Sequence, residues 1–360
     1  MTSRRPSNRA TLALTLLTLL TAGCSTPAYQ PPPEPKASRV LEQEQQRALA
    51  LRQHQNDQNR LARIALPLQQ AAAELCPQPL QAALGLRLGN QHFFHDKVRD
   101  AAVREWQLGD VLQVIAVLPG SAAAQAAVQP GDYLIQIDGT DFPTGESALT
   151  ALPPLLQELV PDRPVPLSLM RDGQPVRVSI TPQGICRYPL LLLNRDEINA
   201  YATHSRIEVT RGMLRFAADD WELAFVIAHE MAHNLRGHIP AALRNGALAG
   251  LIDLWLLANG VPSPGLLAMG GSRAYSKAFE READYLALYL MANAGYPLDH
   301  PADYWRRVAA QRPASNGDSS AATHPDNSDR YLAMRRTLTE IRRKQQQGLA
   351  LTPSLRATVE

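Results

Sequence analysis

Charge of either sign is nearly balanced in this 360-residue chain, where 36 Lys and Arg face 34 Asp and Glu. Three of those arginines, Arg4, Arg5 and Arg9, stand in an N-terminal leader, and without them the net charge falls from +2 to near −1. A chain so lacking in basic excess has no electrostatic footprint for nucleic acid. Cysteine is scarce too, with only Cys24, Cys76 and Cys186. No internal repeat is visible, and no uninterrupted apolar run follows the leader. The stretch 247–269 comes nearest, but Asp253, Asn259, Pro262, Ser263, Pro264 and Gly265 break it, so it reads as a helical hairpin or lid rather than a membrane span.

What is present begins with a leader of three arginines, no acid, and an apolar run from Ala10 to Leu20, which reads as a signal peptide over 1–23. Thr21-Ala22-Gly23-Cys24 resembles the lipobox of bacterial lipoproteins, implying lipid on Cys24. Ser25 resembles the signal for outer-membrane sorting, which places the expected protein on the periplasmic face of that membrane, held by its lipid anchor. Five prolines within 24–36 make a stiff tether. With Cys24 lipidated, Cys76 and Cys186 remain, and an exported chain permits a disulfide between them. Such a bridge closes a loop of about a hundred residues, worth up to ~4 kcal/mol in the chain-entropy treatment.

Residues 37–83 are rich in Gln, Arg, Ala and Leu and read as a docking helix with modest amphipathicity. Over 84–185 short apolar strands alternate with turn signals: Pro119-Gly120-Ser121, Pro130-Gly131-Asp132, Asp138-Gly139 and Arg171-Asp172-Gly173. This order resembles a bacterial PDZ domain. The resemblance implies capture of an extended peptide or an envelope assembly factor, with Gly85-Leu86-Arg87-Leu88 as the candidate loop for a terminal carboxylate. Arg87 stands where that loop often has glycine. Helix-compatible segments dominate 186–345, and 346–360 is a tail, so the fold class expected for the whole is α+β.

The chemistry lies in the second half. Asp219 and Glu222 form a capping-box pattern ahead of the apolar run 223–228. His229, Glu230 and His233 then follow within a helix apolar enough to be buried, where three ionisable groups cost several kcal/mol unless something satisfies them. His229 and His233, four apart, share a helical face and can reach one cation, and Glu230 lies beside that face. That is the His-Glu-x-x-His pattern. Arg236 and Ile239 stand where a metzincin has glycine and histidine. Downstream, Glu280 and Asp284 share a face, so Glu280 can complete a zinc site while Asp284 accepts a hydrogen bond from a ligand imidazole.

Together with Asn199-Ala200, Val209–Leu214 and Thr323-His324-Pro325 with Arg330, these segments resemble the zinc metallopeptidases of family M48, from about residue 188 to 335. The resemblance implies one zinc per chain on His229, His233 and Glu280, Glu230 as general base, and an edge strand near Arg206–Thr210 that aligns an extended polypeptide. It sets His324 as a regulatory gate or a helper at the catalytic centre, with Arg330 and Tyr275 as further oxyanion candidates. His238, five residues past His233, is read as facing away in a structural hydrogen bond. The function implied is quality-control proteolysis of unfolded or misassembled envelope proteins. The alternative is a PDZ-bearing lipoprotein that chaperones clients with a silent zinc site.

Overall fold

The structure is a computed structural model that describes residues 35–203, 205–238, 240–241, 244, 266–311 and 328–355. Several sequence expectations fall outside these residues: the leader with Cys24, the tether as far as residue 34, 247–265 of the apolar stretch and the side chains of its remainder, the Tyr275 side chain, and His324 with its neighbours.

The chain divides into two compact units, Met1–Gln46 and Arg47–Glu360. In the first, the described residues are 35–46, the exposed opening of helix α1 (Lys36–Ala71). Among the described residues no helix is long and apolar enough to cross a membrane.

The second unit is α+β. Its first apolar cluster is built on six strands in the order β2-β3-β4-β6-β7, with β5 paired to β4. These are β2 (Leu86–Gly89), β3 (Gln113–Val117), β4 (Tyr133–Ile137), β5 (Thr140–Asp141), β6 (Val165–Arg171) and β7 (Gln174–Ile180). Asp172 and Gly173 both take positive φ, 49° and 75°, which is the twist that a two-residue hairpin between β6 and β7 needs. Helix α2 (Asp96–Trp106), the short α3 (Ala122–Gln125) and α4 (Ala148–Gln157) complete this module. Leu112, Val114, Leu134, Ile137, Leu167 and Leu169 fill its core. Gly85 holds φ +75°, and a Cβ there would sit 2.0 Å from that of Ser121, so the chain passes where only glycine fits. Arg87 lies within β2 and donates to Gln58 and Asn59 on α1, at 2.6 and 3.0 Å, so its guanidinium is already engaged.

The second cluster is larger and draws on both ends of the unit. Leu61, Ile64, Ala65 and Leu68 from α1, with Ala72 just past its end, join it from one side of the sequence. From the other come helices α5 (Arg211–Phe216), α6 (Asp220–Leu235), α7 (Leu266–Asn293), α8 (Pro301–Ala310) and α9 (Ser328–Gln346). The first module is therefore inserted between two parts of one core. Its neck is a two-stranded ribbon, β1 (Gln81–Ala83) antiparallel to β8 (Gln183–Ile185). Beside the ribbon, a disulfide joins Cys76 to Cys186, with Cα atoms 5.4 Å apart.

Two sequence expectations are corrected here. A three-stranded sheet runs β10-β11-β9, with β9 (Leu190–Leu193), β10 (Ala200–Ala202) and β11 (Ile207–Thr210). The strand expected at an edge, β11, is its middle: it pairs antiparallel with β10 and parallel with β9, and Ile207, Val209 and Thr210 are fully buried. The outer strand that touches α6 most is β10. The capping box does not form either. Asp219 makes no side-chain cap, whereas Glu222 accepts from Ala218 N at 2.9 Å and from Arg307 at 2.6 Å.

Candidate metal centre

Helix α6 is buried at every position from Glu222 to Leu235, so an entire turn of ionisable residues is carried into the core. Its partner is α7, the helix with which it makes its most extensive contact, and four apolar residues of α7 from Leu286 to Tyr289 are also buried. This packing brings His229 and His233 of α6 against Glu280 of α7. The two imidazole Nε2 atoms are 3.2 Å apart, and each lies 3.3 Å from an oxygen of Glu280. Three zinc ligands at ~2.0–2.1 Å in tetrahedral array are separated by about 3.3–3.4 Å, so the donor set has the size and chemistry of a zinc site.

What lies behind the histidines explains why their Nε2 atoms converge. Asp284 Oδ1 is 3.0 Å from His229 Nδ1, and that carboxylate is held by Arg330 at 2.7 and 2.8 Å and by Trp305 Nε1 at 3.3 Å. The Asp284 carboxylate makes His229 Nδ1 the protonated nitrogen and leaves Nε2 to face the site. Burial opposes charge on His229, but hydrogen bonds to Asp284 and Glu280 outweigh it and raise its pKa to about 10. His233 goes the other way, lowered by burial despite Glu280. Asp284 itself resists ionisation through burial, yet the charge and hydrogen bonds of Arg330 with that of His229 hold its pKa down at about 2.

Arg330, a sequence candidate for oxyanion binding, is 1% exposed and committed to Asp284 and, at 3.2 Å, to Glu280. Its guanidinium also lies 5.0 Å over the Trp305 ring. The structure makes it an anchor of the ligand carboxylates. Glu230 is 2% exposed on α6 and close enough to His233 to favour that imidazole's charged form.

His238 corrects a further expectation. It does not face away: its Nδ1 lies 3.1 Å from Nδ1 of His233, its Nε2 lies 3.3 Å from Glu282, and its ring stacks on Phe279 at 4.5 Å. Periodicity failed because the helix ends first. Gly237 takes φ +61°, a left-handed turn just past the C-cap, and swings His238 back over the last turn. Gly237 directly after the motif helix was the sequence signal. Trp305, by contrast, had no signal in the sequence.

Residues 181–338 match peptidase family M48. Every member of the donor cluster falls within the matched residues. Curated relatives are proteases. The beta-barrel assembly-enhancing protease of Escherichia coli O157:H7 is 26% identical over 171 residues, 43% of this chain and 35% of that protein. The mitochondrial metalloendopeptidase OMA1 of Schizosaccharomyces pombe is 29% identical over 175 residues, 47% of this chain and 52% of that protein. That of Arabidopsis thaliana is 26% identical over 176 residues, 48% of this chain and 36% of that protein. The chain spans little more than a third of the length of the bacterial relatives it matches.

Proposed function

We propose that this protein is a zinc-dependent endopeptidase of the bacterial envelope, anchored by lipid on Cys24 and acting on unfolded or misassembled envelope proteins. The observation that carries the enzymatic part is the convergence of His229, His233 and Glu280, with an acid, Glu230, buried on the same helix. A site built only to hold metal has no need of that acid. Bound zinc supplies Lewis acidity, which lowers the pKa of a coordinated water toward about 7 and polarises a carbonyl.

The chain's own residues do the rest. Glu230 takes the proton of the attacking water and delivers it to the leaving amine. Asp284, fixed by Arg330 and Trp305, orients His229. The outer strand β10 offers its free edge beside α6, where an extended polypeptide adds by backbone hydrogen bonds. His324 serves as the regulatory gate or as a helper in catalysis, and Arg330 is excluded from oxyanion binding by its burial. The module spanning 84–185 is PDZ-like in its strand and turn order, and recruits clients or an assembly factor. Both the quality-control role and the envelope location draw on the name of the bacterial relatives and on the leader of this chain.

The test is the Glu230→Gln protein, assayed on an unfolded protein substrate with its metal counted. Cleavage should be abolished with about one zinc per chain retained, because the base is lost and the ligands remain. Undiminished proteolysis in that variant would remove Glu230 from the mechanism.

A further inference from the structure

The two ligand histidines are supported in different ways, and the difference assigns a job to three residues outside the ligand set. His229 meets its carboxylate directly. At its Nδ1, His233 meets one through an intermediary: that nitrogen faces His238 Nδ1 at 3.1 Å, His238 Nε2 faces Glu282 Oε2 at 3.3 Å, and Glu282 Oε1 accepts from Arg236 Nε at 2.6 Å.

The proton positions along this row follow from one end. A carboxylate held by an arginine accepts, so Nε2 of His238 carries the hydrogen. In a neutral imidazole the other nitrogen is then an acceptor, so His238 Nδ1 receives the Nδ1–H of His233. That leaves His233 Nε2 with a bare lone pair aimed at His229 and Glu280, as a metal ligand requires. The intermediary is itself held still, because its ring stacks on Phe279 at 4.5 Å with planes 14° apart, and the residue is 3% exposed.

We propose that His238, aligned by Glu282 and Arg236, is a positioning residue that fixes the tautomer and basicity of His233 for zinc binding. The centre thus has two arms, each ending in an arginine-held carboxylate: Arg330–Asp284 directly on His229, and Arg236–Glu282 on His233 by way of His238. This inference rests on the zinc reading of the site.

The test is zinc affinity of the full chain, measured by competition with a chelating dye, for the wild type and three variants. His238→Phe keeps the ring and its stacking but removes the acceptor, and should weaken zinc binding by about ten- to a hundred-fold. His238→Asn places an amide oxygen where Nδ1 was, and should restore affinity to within a few-fold of wild type. Glu282→Leu, at a position 32% exposed, should weaken zinc several-fold while the unfolding midpoint of the metal-free protein stays put. In zinc-loaded protein carrying ¹⁵N-histidine, the protected Nδ1–H of His233 should vanish in His238→Phe.

If His238→Phe binds zinc as tightly as wild type, or if Phe and Asn variants fall together, the relay is wrong and only packing remains. Should His238→Phe fail to fold, an unchanged zinc affinity in Glu282→Leu overturns the relay equally. Failure of the wild type to bind one zinc would remove the metal reading, and the relay with it; tight zinc in both wild type and His238→Phe removes the relay alone.

Discussion

Arg330 grips Asp284 through two hydrogen bonds, 2.7 Å from Nε and 2.8 Å from Nη2, and neither side chain exposes more than 2% of its surface. The two stand on α9 and α7, so this pair ties α9 to the back of the donor cluster. Removing one partner strands the other's charge in a low-dielectric core. Arg330→Met is therefore expected to destabilise the protein by about 3–5 kcal/mol. Denaturant unfolding of the metal-free protein checks this, and the double variant Arg330→Met with Asp284→Asn should recover part of the loss. A double-variant loss equal to the sum of the two single losses would show that the pair does not act as a unit.

Zinc must displace the proton on His229, whose pKa stands near 10, whereas His233 is held neutral. Metal binding near pH 7.5 should accordingly release at least one proton per chain, that of His229, to which a coordinated water ionising near ~7 adds its own share. Titration calorimetry in buffers of different ionisation enthalpy reads that number directly; release of no proton would contradict the assignment. The same shifts shape stability without metal. Asp284, lowered from 3.8 to about 2, contributes stability that is full above pH 3.8 and lost as pH falls through 2. His229, raised from 6.5 to about 10, contributes stability that is full below pH 6.5 and lost as pH rises through 10. For these two groups together, the metal-free protein is steadiest between roughly pH 4 and 6.5.

The disulfide spans 110 residues of sequence. Closing so long a loop restricts the unfolded chain by up to about 4.7 kcal/mol in the chain-entropy treatment. Replacing Cys76 and Cys186 by serine should lower the thermal midpoint by several degrees, and reductant should lower the wild type to the same value while leaving the double variant unchanged. A wild type indifferent to reductant would show that the bridge adds nothing.

Gly237→Ala puts a Cβ on a left-handed residue, at a cost of about 1 kcal/mol. The larger consequence is at the metal, because the turn that carries His238 back to His233 must open. Weakened zinc binding out of proportion to the small change in unfolding free energy is the expected result, and normal affinity would argue that other residues place His238.

The chemistry was the most legible part of this chain because it is local. Four-residue spacing on one helix puts His229 beside His233, and Glu280 beside Asp284, whatever the rest of the fold does. The hairpin at Asp172-Gly173 was legible for the same reason, since the turn needs residues that accept positive φ. Non-local pairing was not legible. Nothing within Ile207–Thr210 says that β9 and β10 will flank it, so an apolar strand read as an edge became a centre. Helix α1 concealed its role differently: 13 of its 36 residues are Gln or Arg, and Leu61, Ile64, Ala65 and Leu68 mark the stretch that enters the larger cluster. His238 fell between the two cases, since one glycine changed the period on which its placement was judged.

At the neck the chain departs and returns through points 5.4 Å apart, the Cα atoms of Cys76 and Cys186. Consecutive Cα atoms lie ~3.8 Å apart, so a turn of two or three residues could bridge the same gap. The module between them is then a cassette: it can be excised, or exchanged for another sheet domain with adjacent ends, without cutting the helices that hold the metal ligands. On the proposed function, client selection and bond cleavage would then be separable by splicing at a single place.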